Sequence, residues 1–224
     1  MQRLIQGVRR FVRDVLPARR AEFEKLAEGQ SPSTLFITCS DSRIVPELIT
    51  QTGPGELFVV RNAGNIVPRY SEGGSEAAAI EYALSVLDVR DVVVCGHTRC
   101  GAIMAVRDRR NMGGLPAVRR WIKRADAARR LFDQRHSADD SADEESLLRQ
   151  AVEENVREQL HNLLTHPAAA ERIADDRLTL SGWVFDIETG RIFMHCTERD
   201  EFVDLQQATP VPGLPALPSS VPVE

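Results

Sequence analysis

The sequence predicts an α/β fold: a central, mostly parallel sheet of four strands plus an antiparallel edge strand, flanked by helices, with an N-terminal helical arm. Three observations lead there. Short apolar, β-prone runs at 34–37 and 91–95 are bounded by turn signals and followed by helical patterns, as buried parallel strands are. Strand-like and helix-like segments alternate, the order that builds a parallel sheet. Late in the chain, apolar runs at 178–185 and 191–196 flank Glu188-Thr189-Gly190, a hairpin signature whose second strand must run backwards.

In chain order, Leu4, Ile5, Val8, Phe11, Val12 and Val15 recur at helical spacing and predict an amphipathic first helix. Pro17 breaks or kinks it, and a short second helix over about 18–28 completes an arm of residues 1–28. Strand one ends at Cys39. Residues 46–50 make a helical turn, Gly53-Pro54-Gly55 a loop, and 57–61 strand two, followed by the polar turn Asn62-Ala63-Gly64-Asn65. Ser75 is placed to cap a helix whose Ile80, Leu84 and Leu87 share one face. Strand three, 91–95, ends at Gly96 and delivers His97, after which Cys100 and Gly101 open a helix to about Arg107. Pro116 starts a helix through about Phe132, and 137–145 reads as an exposed acidic loop. Leu147, Leu148, Ala151, Val152, Val156, Leu160, Leu163 and Leu164 mark a long helix, with a short one after Pro167. Five prolines between 210 and 224 predict an extended tail beyond a single domain over 1–209.

At 224 residues the chain can bury one substantial core. It is 42% apolar and 27% charged with a net charge of −5, which describes a globular domain with no general attraction to nucleic acid. The recurring arginine pairs read as solvated helix faces and salt links. Four cysteines imply metal-binding or catalytic thiols in a reducing compartment, here the cytoplasm. No apolar run approaches the ~20 residues of a membrane helix. The arginine-rich start shares features with a transit peptide but has no serine before Ser31, so it reads as a helix of the mature protein.

The chemistry concentrates in Cys39-Ser40-Asp41-Ser42-Arg43 and His97-Thr98-Arg99-Cys100, both at carboxyl ends of strands, where open α/β sheets place ligands. Two thiols, an imidazole and a carboxylate are a zinc donor set. Cys100 at a helix N-terminus is expected to favour the thiolate. Asp41 decides whether the site is open. If Arg43 holds the carboxylate by a bidentate pair, the fourth position is left for water; otherwise Asp41 closes the site as a ligand. Two thiolates also offset the zinc charge, which predicts activity rising toward alkaline pH. A closed zinc that only ties two loops together, and buried cysteines with no metal, are the bland alternatives. Cys95 reads as a core residue. His195 and Cys196 point to opposite faces of a strand and make no second metal site. His136, His161 and His166 read as surface histidines.

These motifs resemble those of β-class carbonic anhydrases. Cys39-Ser40-Asp41-Ser42-Arg43 is similar to the first metal motif, Gly96-His97-Thr98-Arg99-Cys100-Gly101 to the second, and Phe58-Val59-Val60-Arg61-Asn62-Ala63-Gly64-Asn65 to the segment between them. The similarity runs over about 7–202, nearest to bacterial enzymes encoded beside cyanase. The resemblance implies one Zn2+ per subunit on Cys39, His97 and Cys100, with Asp41 as exchangeable fourth ligand. It implies carbon dioxide hydration to bicarbonate by zinc-bound hydroxide, with Asp41 and Arg43 as a catalytic dyad. Gln30, Phe58, Ala63, Tyr82 and Gly101 would shape the substrate pocket, Phe58 and Tyr82 from a partner subunit. A homo-oligomer, a dimer or a dimer of dimers, is implied, with no nucleic acid or membrane partner. Carbon disulfide or carbonyl sulfide hydrolysis on the same fold, or a non-catalytic zinc scaffold, are the other readings. Members regulated by non-catalytic bicarbonate carry tryptophan where this chain has Phe36, which argues against a bicarbonate-closed state even though Arg61 matches. Ala63 replaces a common valine and would enlarge the pocket.

Overall fold

The structure, a computed structural model, describes residues 1–110, 112–135 and 143–207. Its sheet has six strands in the order β2-β1-β3-β4-β5-β6: β1 Thr34–Cys39, β2 Leu57–Asn62, β3 Asp91–His97, β4 Thr179–Phe185, β5 Ile192–Cys196 and β6 Glu201–Asp204. The first four in space are parallel, and β5 and β6 run antiparallel. The expected edge strand, β5, is therefore interior, and β6 forms the edge. Four residues with acidic ends give β6 too little alternation to stand out from the charged turn before it.

β1 and β3 are direct neighbours in parallel register, with Thr38 opposite Cys95, so both motifs leave the sheet at the same edge. Central position explains their composition: all but the first residue of each strand is buried, and a parallel strand covered on both faces needs apolar side chains throughout.

The main core joins the β1 and β3 side chains Leu35, Ile37, Val92 and Val94 to α4 (Ser75–Ser85), α8 (Glu144–Leu163) and α9 (Pro167–Ala174). α8 lies hard against the sheet. A Cβ on Gly96 of β3 would stand 2.8 Å from Val152, and one on Gly182 of β4 would stand 2.8 Å from Val156. Glycine at those two strand positions is what lets the helix approach this closely. The opposite face carries a smaller cluster of Phe36, Ile44, Val93 and Cys95, with Phe36 edge-on to Trp183 at 6.0 Å.

The arm consists of α1 Gln2–Arg10, a π-helical turn Phe11–Val15, a 3-10 turn Leu16–Arg19 containing Pro17, and α2 Arg20–Leu26. None of its residues is buried. Two short helices, α3 Pro46–Thr50 and α5 Gly101–Arg107, follow the two motifs. The helix expected over 116–132 is interrupted: α6 Pro116–Ile122 passes through a 3-10 turn, Lys123–Ala125, into α7 Asp126–Arg135. The tighter turn aligns Ile122 and Ala125, three apart, on one small cluster with Ile66, Ala105 and Val106. Ser75 opens α4 without capping it, since its hydroxyl bonds Glu76. The acidic loop ends sooner than expected: Glu144 and Glu145 form the first turn of α8, whose cap is Asp143 accepting from the Ser146 N–H. His136, most of that loop and the proline-rich tail lie outside the described residues.

Candidate metal centre

Cys39 is the last residue of β1, His97 the last of β3, and Cys100 the N-cap of α5. Among the described residues their ligand atoms form the one group able to hold a metal ion, all within 4.8 Å of one another and all three side chains buried. Three features fit the group to a tetrahedral ion. The two sulfurs are 3.9 Å apart, and two thiolates at ~2.3 Å on a tetrahedral zinc would be about 3.8 Å apart. His97 Nδ1 lies 2.9 Å from the Thr98 carbonyl, which can only accept, so Nδ1 carries the hydrogen and Nε2 keeps its lone pair. Nε2 is buried with no hydrogen-bond partner, a costly arrangement unless that lone pair serves a ligand.

The thiols are unequal. The Cys39 thiol is lowered, first by the hydrogen bond from Cys100 and further by the Gly64 N–H. Cys100 is raised, first because Cys39 beside it takes the negative charge. The helix start acts on Cys100 through the Ala102 and Ile103 N–H groups, which favour its thiolate as the dipole predicts, while the negative charge on neighbouring Cys39 opposes it.

Asp41 faces His97, its Oδ2 3.8 Å from Nε2 and beyond hydrogen-bonding range. Arg43 grips the carboxylate at both oxygens, Nε to Oδ1 at 2.9 Å and Nη2 to Oδ2 at 2.7 Å, and its backbone N–H adds a third bond at 3.0 Å. These bonds, Arg43 foremost, hold the Asp41 carboxyl well below the usual carboxylate range. Arg43 also donates to the Arg99 carbonyl at 3.2 Å, tying the first motif to the second.

Sequence reasoning missed the framework behind these groups. Arg61, on β2, donates to the carbonyls of Cys39, Asp41 and Ile44, so it clamps the loop that carries the first motif. The sequence marked Arg61 only by its match to the arginine of the bicarbonate-regulated members, and the local signal for the clamp was a cation near the end of an otherwise apolar strand. The Gly64 N–H reaches Cys39 Sγ at 3.4 Å. Asn62 closes the turn by bonding both backbone groups of Ile66.

Of the expected pocket residues, Phe58 on β2 and Tyr82 on α4 form an aromatic pair with centroids 6.0 Å apart, Tyr82 44% exposed. Gln30 is exposed on the connection from α2 to β1, Ala63 is exposed with its carbonyl accepting from Trp121 Nε1, and Gly101 is exposed at the start of α5. His195 is half-buried and bonded to Asp200 at 3.0 Å, away from the metal group. His166 is not a surface residue: it is buried at the α8–α9 junction, 3.0 Å from the Pro68 carbonyl, and burial lowers its pKa. Cys95 is buried within β3, and desolvation pushes its thiol up to about 12.

Comparison with known proteins points to one family. The carbonic anhydrase family profile matches residues 34–192. A carbonic anhydrase of Pseudomonas aeruginosa is 51% identical over 193 residues, 86% of each chain. Carbonic anhydrase 1 of Escherichia coli O157:H7 is 45% identical over 216 residues, 96% of this chain and 97% of that one. The solved β-carbonic anhydrase CcaA superposes with a TM-score of 0.87 at 43% identity, over 91% of this chain and 98% of the other. A tetrameric β-carbonic anhydrase of Sordaria macrospora gives 0.78 at 30% identity, over 86% and 95%.

Proposed function

The chain belongs to the β-class carbonic anhydrases, and on that premise we propose that it converts carbon dioxide and water reversibly to bicarbonate and a proton. The observation that carries the reading is the convergence of three metal-competent atoms beside a carboxylate whose oxygens are both taken by an arginine. We assign one zinc ion per subunit to Cys39, His97 and Cys100, a donor set of thiolates and imidazole that suits zinc. Zinc held there would supply Lewis acidity that draws the pKa of water down toward neutrality.

The remaining chemistry falls to the chain's own side chains. Arg43 keeps Asp41 ionised and fixed in orientation, and withdraws it from the metal ligands. Asp41 accepts a hydrogen bond from the attacking oxygen and so turns that oxygen's lone pair toward the carbon of carbon dioxide. As the new C–O bond forms, one C=O electron pair moves onto oxygen; the released proton passes to solvent or buffer. We assign the pocket to Gln30 as a donor to substrate oxygen, to the apolar rings of Phe58 and Tyr82, and to the small residues Ala63 and Gly101. The exposed Tyr82 beside half-buried Phe58 and the uncovered arm support a homo-oligomer in which one subunit completes its neighbour's pocket, in line with the tetrameric Sordaria relative. Four free cysteines, all buried, support a reducing compartment such as the cytoplasm. No described helix is long and apolar enough to cross a membrane.

The test is stopped-flow hydration of carbon dioxide from about pH 7 to 9 on zinc-loaded protein and on Asp41→Asn. Hydration should rise with pH because two thiolates offset the zinc charge. Asp41, held well below the usual carboxylate range by Arg43, stays ionised throughout and contributes no step. The variant should keep its zinc and lose about 100-fold or more in rate. No hydration by the zinc-loaded protein would overturn the reading and turn attention to the sulfur analogues of carbon dioxide.

A further inference from the structure

We propose that Asn155 of α8 is a positioning residue for the metal ligand Cys39, acting through Gly64; the inference rests on the metal reading above. α8 presents Asn155, Gln159 and Asn162 on one face, one and two turns apart, 1%, 0% and 3% exposed. Buried amides in a helix are costly unless bonded; Asn155 and Gln159 bond one loop directly, and Asn162 bonds Gln159. Asn155 Nδ2 donates to the Gly64 carbonyl at 3.0 Å, and Gln159 Nε2 donates to Asn155 Oδ1 at 3.0 Å. Gln159 Oε1 accepts the Val67 N–H at 2.8 Å and Asn162 Nδ2 at 3.3 Å. The ladder thus holds the loop at two points, Gly64 and Val67.

Gly64 sits in the left-handed half of conformational space, at φ +87°, and a Cβ there would press on Ala102 and Ile103 at 3.3 Å. Two bonds from outside the loop fix the peptides on either side of it: Trp121 Nε1 donates to the Ala63 carbonyl at 2.8 Å, in the peptide that carries the Gly64 N–H, and Asn155 fixes the peptide that follows. In that orientation the Gly64 N–H points at Cys39 Sγ. A hydrogen bond to a ligating sulfur fixes the ligand and tunes its donor strength, as groups behind metal ligands do. The same helix backs the strand that carries His97, because Val152 and Val156 pack on Gly96. α8 therefore sets the position of one ligand through amides and of another through packing.

The test uses the full-length protein and cobalt(II) as the probe, with Asn155→Leu, Asn155→Asp and, as control, Leu148→Ala, a buried α8 residue outside the ladder and away from Gly96. Asp keeps the acceptor for Gln159 and loses the donor to Gly64, so it serves even if the leucine variant fails to fold. Each protein is read for its thermal midpoint without metal, its cobalt affinity by chelator competition, and its thiolate-to-cobalt charge-transfer band. The expected result is a 10- to 100-fold weaker affinity and a displaced band in the Asn155 variants. Leu148→Ala should lose thermal stability while keeping both metal readouts within about threefold of the parent. Asn155 variants with unchanged affinity and band, whatever their midpoint, would show a purely structural ladder and overturn the proposal. A parent protein that shows no thiolate band would instead overturn the metal assignment itself.

Discussion

The strand ends that carry the metal group and the N-terminal arm are built on opposite terms. At the ends of β1 and β3 functional side chains are tied to backbone of the same chain: Cys39 to the Gly64 N–H, His97 to the adjacent Thr98 carbonyl, Arg43 to the Arg99 carbonyl. In the arm, Leu4, Val8 and Val12 are 69%, 63% and 54% exposed, an apolar stripe at helical spacing that this chain does not cover. A region that satisfies itself within one chain is set by that chain's folding. A stripe left in water is unfavourable by about 25 cal/mol per Å² until something covers it. One chain assembles the metal group, whereas the arm presents an apolar stripe that the same chain leaves uncovered.

The largest expected effects sharpen the first half of that contrast. Cys39→Ala should leave the protein without bound zinc after dialysis, because two ligands remain of three. Cys95→Ala, one residue from the end of the neighbouring strand's register, should keep full zinc and cost only about 1 kcal/mol of stability. Metal analysis beside thermal unfolding reads both, and equal zinc loss in the two variants would break the distinction between rim and strand interior. Next in size is Arg43→Met. It removes both side-chain bonds to Asp41 and the tie to Arg99 while sparing all three ligands. Hydration should fall by roughly 100-fold with zinc retained; zinc loss instead would make Arg43 a structural clamp.

Much of this site is legible in the sequence, for a physical reason. A buried parallel strand is a short unbroken apolar run, and the residues just past its carboxyl end land at one edge of the sheet. Cys39, Asp41, Arg43, His97 and Cys100 could therefore be placed at one edge of the sheet from spacing, and they meet because β1 and β3 are neighbours. The supports are harder to read. Asn155, Gln159 and Asn162 look like the polar face of an amphipathic helix, and nothing local tells a buried amide ladder from a solvated one. His166 is hidden for the same reason. β6 escaped because four residues carry too little pattern, and the break between α6 and α7 because tertiary packing of Ile122 and Ala125 sets it.

Removing residues 1–28 tests the other half. The truncated chain should keep its zinc, since no group of the metal centre lies in the arm. Its assembly should weaken by at least tenfold in sedimentation, because several apolar side chains at about 1.5–3 kcal/mol each would no longer be buried against another copy. An unchanged assembly would mean that the stripe is covered by something other than a second copy, and that the Phe58–Tyr82 face alone joins the subunits.

The smallest effect compares two aspartates. Asp200, in the turn between β5 and β6, is 3.0 Å from His195 Nε2 and 2.9 Å from both Arg135 and Arg157; Arg157 in turn pairs with the buried Glu154. His195 first, then the two arginines, bring its carboxyl down to about 2. Asp14, in the arm, is also lowered, by Arg13 alone and in full solvent. A carboxyl depressed in the folded state contributes stability above its unfolded pKa of about 3.9, and that contribution fades as pH falls through the folded value. Asp200→Asn should therefore destabilise the protein by about 1 kcal/mol near neutrality, a figure kept small because the side chain is half-exposed. The gap to the parent should close between about pH 4 and pH 2. Asp14→Asn should leave the urea midpoint unchanged at every pH, since water and salt screen an exposed adjacent pair. Equal effects at the two positions would mean that the convergence of charges on Asp200 adds nothing beyond a surface pair, and that the turn into β6 is held by its backbone bonds to β5 instead.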